Sequence, residues 1–368
     1  MGCSDFAGIV LSAGYSSRMG DFKPLLKFGK YTAVEMAVNT FIASGIDDVV
    51  VVTGYRGNEV REVLGDFGIR CIENKNYPQG MYSSIVEALR VLDSKVKAFF
   101  MLPVDIPLVK VDTVKSLGSK YASCGSGILY PVFRGKKGHP PLIDCKYKSM
   151  IENWEKPGGL KNFLNEFNSD SVNVPVCDNG IIMDMDTRED YLGLLKYFNS
   201  KAPSKEECYC ILADYSVPDN IIKHCEKVSQ VCACILKKLN KKGYNFDADV
   251  LEAAALLHDI SRKSRSHALA GANILRKLGY GHIGDLIGTH MNIEVGENDE
   301  ISENEILYLA DKLVEEDRCV SLRHRFDKAL LKYIDNAEVK IKIEKRLRDA
   351  EKIMNKVEKV VGEKIELL

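Results

Sequence analysis

The run Leu11-Ser12-Ala13-Gly14-Tyr15-Ser16-Ser17-Arg18-Met19-Gly20-Asp21-Phe22-Lys23 sets glycines, hydroxyls and two cations directly after a short apolar stretch. Gly14 and Gly20 allow tight turns and a close backbone approach to a ligand, and the loop amides with the Ser16 and Ser17 hydroxyls can donate to phosphate oxygens. Arg18 and Lys23 add fixed positive charge. Together they describe a cradle for a triphosphate. The loop follows neither Gly-x-x-x-x-Gly-Lys-Ser/Thr nor Gly-x-Gly-x-x-Gly, so it is a cradle of another kind.

Acidic partners stand further along. Leu102-Pro103-Val104-Asp105-Ile106-Pro107-Leu108 puts a carboxylate just past an apolar run, where ligands of α/β sheets bind. Asp186 lies in Asp184-Met185-Asp186-Thr187-Arg188-Glu189-Asp190, where its bland role is a helix N-cap ahead of Glu189.

A second constellation reads His224, His258-Asp259 and Asp311 in apolar surroundings: Ile221-Ile222-Lys223-His224, Leu256-Leu257-His258-Asp259-Ile260 and Leu309-Ala310-Asp311. Burying ionisable groups is costly unless they are paired or hold a metal, and one shared cation would remove the cost. Imidazole with carboxylate admits Mn, Fe, Ni, Co or Zn. His282 and His324 read as surface residues.

The elements that must position these groups fall into two halves. Up to about residue 195, apolar strands at 8–11, 48–53 and 98–102 alternate with helices at 33–44 and 81–92, the pattern of a mostly parallel sheet covered on both faces. A polar, proline-bearing stretch around Pro203 follows. From there helical periodicity takes over at 221–239, 249–257, 267–278, 303–315 and 337–362. The expectation is an α/β domain over 1–199 and an all-α domain over 200–368. Ile343, Leu347, Ala350, Met354, Val357 and Val361 form a short heptad seam, which predicts docking onto its own domain and leaves a homodimer contact open.

Composition excludes several classes. With 51 Lys and Arg against 52 Asp and Glu the net charge is -1, too balanced to hold a nucleic-acid backbone. The apolar stretches fall short of the roughly 20 residues a membrane span needs. Met1-Gly2-Cys3-Ser4 lacks the Ser/Thr of a myristoylation start, Phe6 standing there instead, and a cytoplasmic protein is expected. Eleven scattered cysteines suit reduced thiols better than a disulfide framework.

The first loop resembles the signature Leu-x-Ala-Gly-x-Ser-x-Arg-Met-Gly-x-x-Lys of the MobA-like nucleotidyltransferase family, in its molybdenum cofactor cytidylyltransferase branch. The resemblance extends over about residues 7–195. Gly138-His139-Pro140-Pro141-Leu142 is similar to the branch's Gly-His-Pro loop, with Pro141 where Val is usual. The 184–190 segment is similar to Asp-x-Asp-Thr-Pro-Glu-Asp, with Arg188 for Pro. The resemblance implies that Leu11, Ser12, Ala13, Gly14, Ser16, Arg18 and Lys23 bind the nucleotide, with Gly80, Ser83 and Ser84 from the similar loop Asn76–Ser84. It further implies Mg²⁺ on Asp105 and Asp186, with Arg18, Lys23 and Asp105 serving catalysis. The expected reaction is transfer of a nucleotidyl group from an NTP, CTP by the sign of Ala13, to a phosphorylated small-molecule acceptor of molybdopterin type.

The helical half is similar to the HD-domain phosphohydrolase family over about residues 205–335. That resemblance implies metal ligands at His224, His258, Asp259 and Asp311, and at His267 and His290 as in members with a second metal. Arg262 stands where the family often has Lys. The rival expectation is transfer to a sugar or alcohol phosphate, with the helical half a nucleotide-sensing module without turnover.

Overall fold

A computed structural model describes residues 5–296 and 300–365, so the Met1–Ser4 start lies outside the described residues. The chain divides into two compact units, Met1–Asn199 and Ser200–Leu368.

The first unit holds one eight-stranded sheet. Its strands are β1 (Phe6–Ser12), β2 (Asp48–Thr53), β3 (Arg70–Glu73), β4 (Ala98–Pro103), β5 (Ile128–Phe133), β6 (Lys136–Lys137), β7 (Leu142–Asp144) and β8 (Ser171–Pro175). Their order is β8-β5-β7-β4-β1-β2-β3, with β6 hairpinned onto β5. Along this path every pairing is parallel except those of β7, which runs antiparallel to β4 and to β5. The α/β unit expected from sequence is therefore present, with a mixed, mostly parallel sheet.

All residues of β1 and β4 are buried, the consequence of continuous apolar runs covered on both faces. On one face the helix Met81–Arg90 packs Ile85, Ala88 and Leu89 against Ile9, Leu11, Val50 and Phe99. On the other lies the helix Ala33–Ala43, started by a capping box: the Thr32 amide donates to Glu35 at 2.6 Å and the Glu35 amide to the Thr32 hydroxyl at 3.4 Å. Its Phe41 ring sits over Gly8, where a Cβ would come within 2.6 Å. Register pairs Leu11 with Val52 and with Pro103, so the segments leaving β1, β2 and β4 emerge at one edge. Strand order reverses there, the usual ligand crevice of an open α/β sheet.

The second unit is helical: Lys205–Asp214, Asp219–Asn240, Ala248–Leu257, His267–Lys277, Gly281–Gly288, Glu303–Lys312, Leu322–Lys332 and Ala337–Val361. One feature departs from the all-helical expectation. The helix carried by periodicity through Glu315 stops at Lys312, and Val314–Glu315 pairs antiparallel with Arg318–Cys319. Glu316, with φ of 53°, turns this short ribbon. Of the seam residues of the last helix, Ile343, Ala350, Val357 and Val361 are buried and Leu347 and Met354 half-buried; Ile353, outside the seam, is buried as well, and Lys356 reaches Glu305 at 2.7 Å. No helix among the described residues is long and apolar enough to cross a membrane. Cys225 and Cys232 are free and buried.

Because the Phe41 ring occupies the space a side chain at position 8 would need, Gly8→Ala is expected to lower unfolding free energy by about 1–3 kcal/mol, read from urea denaturation. An unchanged midpoint would show that the helix yields without cost.

Candidate functional site

Beyond Ser12 the chain turns twice through left-handed backbone, at Ser16 (φ 57°) and Gly20 (φ 79°). The Lys23 amide donates to the Ser16 hydroxyl at 3.1 Å and the Met19 amide to the Ser16 carbonyl at 3.1 Å, so one serine closes the loop on itself. Gly54, after β2, packs against the loop: a Cβ there would lie 2.9 Å from that of Ala13 and 2.8 Å from Tyr77. The aromatic rings of Tyr15, Tyr55 and Tyr77 gather beside it, with Tyr15 at 5.3 Å and 5.2 Å from the other two.

The loop's cations meet the two distant acids. Lys23 Nζ lies 2.7 Å from Asp186 Oδ1 and 3.4 Å from Asp105 Oδ2, and Arg18 Nη1 lies 3.0 Å from Asp186 Oδ2. Lys23 is buried and Arg18 is exposed. The hydrogen bond and charge of Lys23, helped by Arg18, hold the Asp186 carboxyl below its ordinary range. Asp186 is not the helix cap. Thr187 caps the helix Arg188–Asn199 instead, exchanging hydrogen bonds with Asp190 at 2.7 and 3.2 Å. Arg188, in the place of a proline, reaches Asp21 of the loop at 3.0 Å.

The segment before the helix Met81–Arg90 turns at Gly80 (φ 100°). Asn74, fully buried and not singled out by sequence, donates through Nδ2 to Ser83 Oγ at 2.8 Å and Ser84 Oγ at 2.9 Å. Ser84 is thereby enclosed, while Ser83 stays half-buried at the rim. Its signal in the sequence was an Asn at the end of a strand, too common to stand out. Pro141 fits its place because the strand beside it needs only its carbonyl, which accepts from the Met101 amide at 3.1 Å.

In the helical unit the six expected residues converge. His224 Nε2 lies 3.2 Å from Asp311 Oδ1, and His258 Nε2 lies 3.6 Å from Asp259 Oδ2 and 3.8 Å from Asp311 Oδ1. His267 and His290 each bring Nε2 to 3.6 Å from Asp259 Oδ1. Two groups have ligand atoms close enough to share a metal ion, His224-His258-Asp311 and His258-Asp259-His290, and His258 belongs to both.

The imidazoles are oriented from behind. His258 Nδ1 lies 2.8 Å from the Ala255 carbonyl and His290 Nδ1 2.6 Å from that of Ile287, three residues back in each case. Both carbonyls belong to the last turns of helices, where acceptor capacity is left over. His224 Nδ1 meets the Glu316 carbonyl of the short ribbon at 2.8 Å. An Nδ1–H bound to a carbonyl leaves Nε2 as a lone pair, the form that ligates metals. Nε2 of His258, His267 and His290 is buried without a hydrogen-bond partner, an arrangement a metal would resolve.

Electrostatics agree with that chemistry. Burial pushes the His258 pKa down to about 4, so the ring is neutral at pH 7. Burial works against the charge of Asp311, yet Lys312, His224 and Arg325 outweigh it and hold the carboxyl well below the usual range. For Asp259, His258, His290 and Arg262 likewise overcome burial and lower the pKa. Arg262 donates to both oxygens of Asp259 at 3.1 and 2.8 Å, and buried Lys312 bridges Asp311 at 2.5 Å and the His290 carbonyl at 3.1 Å. Lys312 was not picked out by sequence, since a lysine following an acid on a helix reads as surface. His282 and His324 lie at the surface, each beside a glutamate.

Residues 8–172 match the MobA-like NTP transferase domain family, and residues 221–315 match the HD domain family. The molybdenum cofactor cytidylyltransferase of Escherichia coli K12 is 26% identical over 185 residues, spanning 50% of this chain and 92% of that protein. The bifunctional IPC transferase and DIPP synthase of Rubrobacter xylanophilus is 37% identical over 92 residues, 23% of this chain and 21% of that one. Among solved structures, a nucleotidyl transferase from Methanothermobacter thermautotroptrophicus is 21% identical with a TM-score of 0.47, covering 52% of this chain and 97% of its own. The chain therefore joins a MobA-like NTP transferase domain to an HD domain, and both are enzyme families.

Proposed function

We propose that the sheet-bearing unit transfers CMP from CTP to a phosphorylated acceptor of molybdopterin type, and that the helical unit is a metal-dependent phosphohydrolase. One observation carries the first half: Lys23, Asp105 and Asp186, far apart in sequence, meet beside a glycine-turned loop at the carboxyl ends of the central strands. Asp105 and Asp186 would hold Mg²⁺, which when bound neutralises the triphosphate. Leu11, Ser12, Ala13, Gly14 and Ser16 would line the nucleotide with Gly80 and Ser83, and Ser84 would act by holding that wall together. An oxygen of the acceptor phosphate attacks the α-phosphorus, and the bond to pyrophosphate breaks. No side-chain nucleophile is needed, so rate comes from alignment and from the charges of Arg18 and Lys23. CTP is favoured by Ala13 and by the likeness to the E. coli cytidylyltransferase.

In the helical unit His224, His258, Asp259 and Asp311, joined by His267 and His290, would hold one or two ions of Mn, Fe, Ni, Co or Zn. A cation there would acidify bound water and polarise a phosphoryl oxygen. Arg262 and Lys312 orient Asp259 and Asp311 respectively, and exposed Lys263 stands ready for substrate phosphate.

Incubation with each NTP, Mg²⁺ and candidate acceptors, followed by mass spectrometry, is expected to give a CMP-bearing product and pyrophosphate from CTP alone. A GMP adduct, or no adduct with any NTP, would overturn the reading. Asp105→Asn is expected to slow transfer by about 10²-fold or more, measured as pyrophosphate release.

For the second centre, His258→Ala removes the ligand common to both His/Asp groups. Elemental analysis should find the transition metal largely gone, and phosphodiester cleavage should fall with it. Full metal content in that variant would count against a centre built on His258.

A further inference from the structure

Two cysteines stand outside both centres yet belong to elements that anchor one of them. Cys234 lies on the helix Asp219–Asn240, about 15 Å of helix beyond His224. Cys319 ends the ribbon whose turn presents the Glu316 carbonyl to His224 Nδ1 at 2.8 Å. Both thiols are free and half-buried.

Register directs the Cys319 side chain. The residue pairs with Val314, and residues opposite one another on antiparallel strands project to the same face. Val314 is fully buried, so that face is the one turned to the protein. There Cys319 shares the walls of a void of about 10 Å³ with Cys234, Val231, Ile235 and Ile365. A void of that size holds about one water molecule. The ribbon is only two residues wide on each side, so a small slide along the helix is enough to close the space.

We propose that Cys234 and Cys319 are a redox pair that closes to a disulfide, and that its closure draws Glu316 off His224 and loosens the metal centre. The oxidant is a peroxide. One thiolate attacks hydrogen peroxide, the O–O bond breaks, hydroxide leaves and a sulfenic acid forms. The second thiol then attacks that sulfur, the S–S bond forms, and the sulfenic oxygen leaves as water. Two thiols and one peroxide thus give one disulfide and two waters, and a phosphine or a dithiol returns the two electrons.

Placement sets the direction of the effect. The turn of the ribbon touches His224, and Cys234 lies well beyond it along the same helix, so the new bond pulls the ribbon away from the histidine. The ribbon also continues from the helix Glu303–Lys312 that carries Asp311, with the Val320 amide donating to the Leu313 carbonyl at 2.9 Å. Two ligands of the His224-His258-Asp311 group therefore feel the pull. Losing the acceptor behind a ligating histidine costs about tenfold or more in metal affinity. The link to the metal rests on the metal-centre reading above, whereas the disulfide does not.

The test takes the full chain, reduced or oxidised with hydrogen peroxide and freed of it, and titrates each with Mn²⁺ as the probe ion. Peptide mapping after thiol blocking is expected to find Cys234 joined to Cys319, and the joined peptide to vanish on treatment with a phosphine. Oxidation is expected to weaken Mn²⁺ binding about tenfold, read from the electron spin resonance signal of the free ion, with recovery on reduction. Cys234→Ser and Cys319→Ser should bind Mn²⁺ as the reduced wild type does and stay indifferent to peroxide. Absence of the joined peptide would overturn the redox pair whatever the metal does. A joined peptide with unchanged Mn²⁺ affinity, or an equal loss of affinity in the serine variants, would overturn the link to His224 alone. Failure of the reduced wild type to hold Mn²⁺ would count against the metal centre and take the link with it, while the peptide still decides the pair.

Discussion

A charge removed from water has to be answered by an opposite charge or by a metal, and that requirement organises both units of this chain. In the first, Lys23 is nearly enclosed, and its ammonium is answered by two carboxylates brought in from loops 82 and 163 residues away. The sheet makes the meeting geometrically cheap. β1 and β4 are neighbours in register, so the loop after Ser12 and the acid after Pro103 emerge side by side before any side chain is considered. Lys23 then fixes the third participant, Asp186, which the sheet alone would not place. Removing the lysine would leave two like charges facing each other in a partly buried crevice.

The helical unit meets the same requirement with lone pairs. His258, Asp259 and Asp311 are as deeply buried as any apolar core residue. What aims His224, His258 and His290 there is the anchoring of each ring by a backbone carbonyl. His258 follows directly on the helix Ala248–Leu257 and takes the Ala255 carbonyl, and His290, just past Gly281–Gly288, takes that of Ile287. Ends of helices thus serve twice, closing their own backbone and aiming an Nε2 inward. The short ribbon at Val314–Cys319 does the same for His224 through the Glu316 carbonyl.

Much of this was legible in the sequence, for a physical reason. Apolar runs such as Gly8–Leu11 and Asp48–Thr53 have one stable fate when buried on both faces, and polar residues set in apolar helices, such as His224 and Asp311, demand partners. The ribbon at Val314–Cys319 was not legible, because two-residue strands leave no periodicity and Val314 continues the apolar pattern of the helix before it. Asn74 escaped notice because its role lies in joining Ser83 and Ser84, a relation between a strand end and a helix start that spacing does not express. Lys312 escaped because its neighbours come from another helix end, the carbonyl of His290. What sequence reads well is a residue's own chemistry, and what it reads poorly is who holds that residue still.

The 184–190 segment shows how one residue of register decides between support and chemistry. The helix Arg188–Asn199 could start from Asp186 with Glu189 three residues on, or from Thr187 with Asp190. The second pairing forms, and the Thr187 hydroxyl donates to Asp190 at 2.8 Å while its amide donates to the same carboxylate at 2.7 Å. A threonine cap adds to the reciprocal box a hydroxyl hydrogen bond onto the Asp190 carboxylate, which an ionised aspartate has no proton to make. That choice releases Asp186 from the backbone and leaves both its oxygens for Lys23 and Arg18. Arg188, at the first helical position, is tolerated where proline is favoured because the amide there needs no intrahelical acceptor. Its side chain then ties the helix start to Asp21, so the turn that frees the acid is fastened to the loop that the acid must meet.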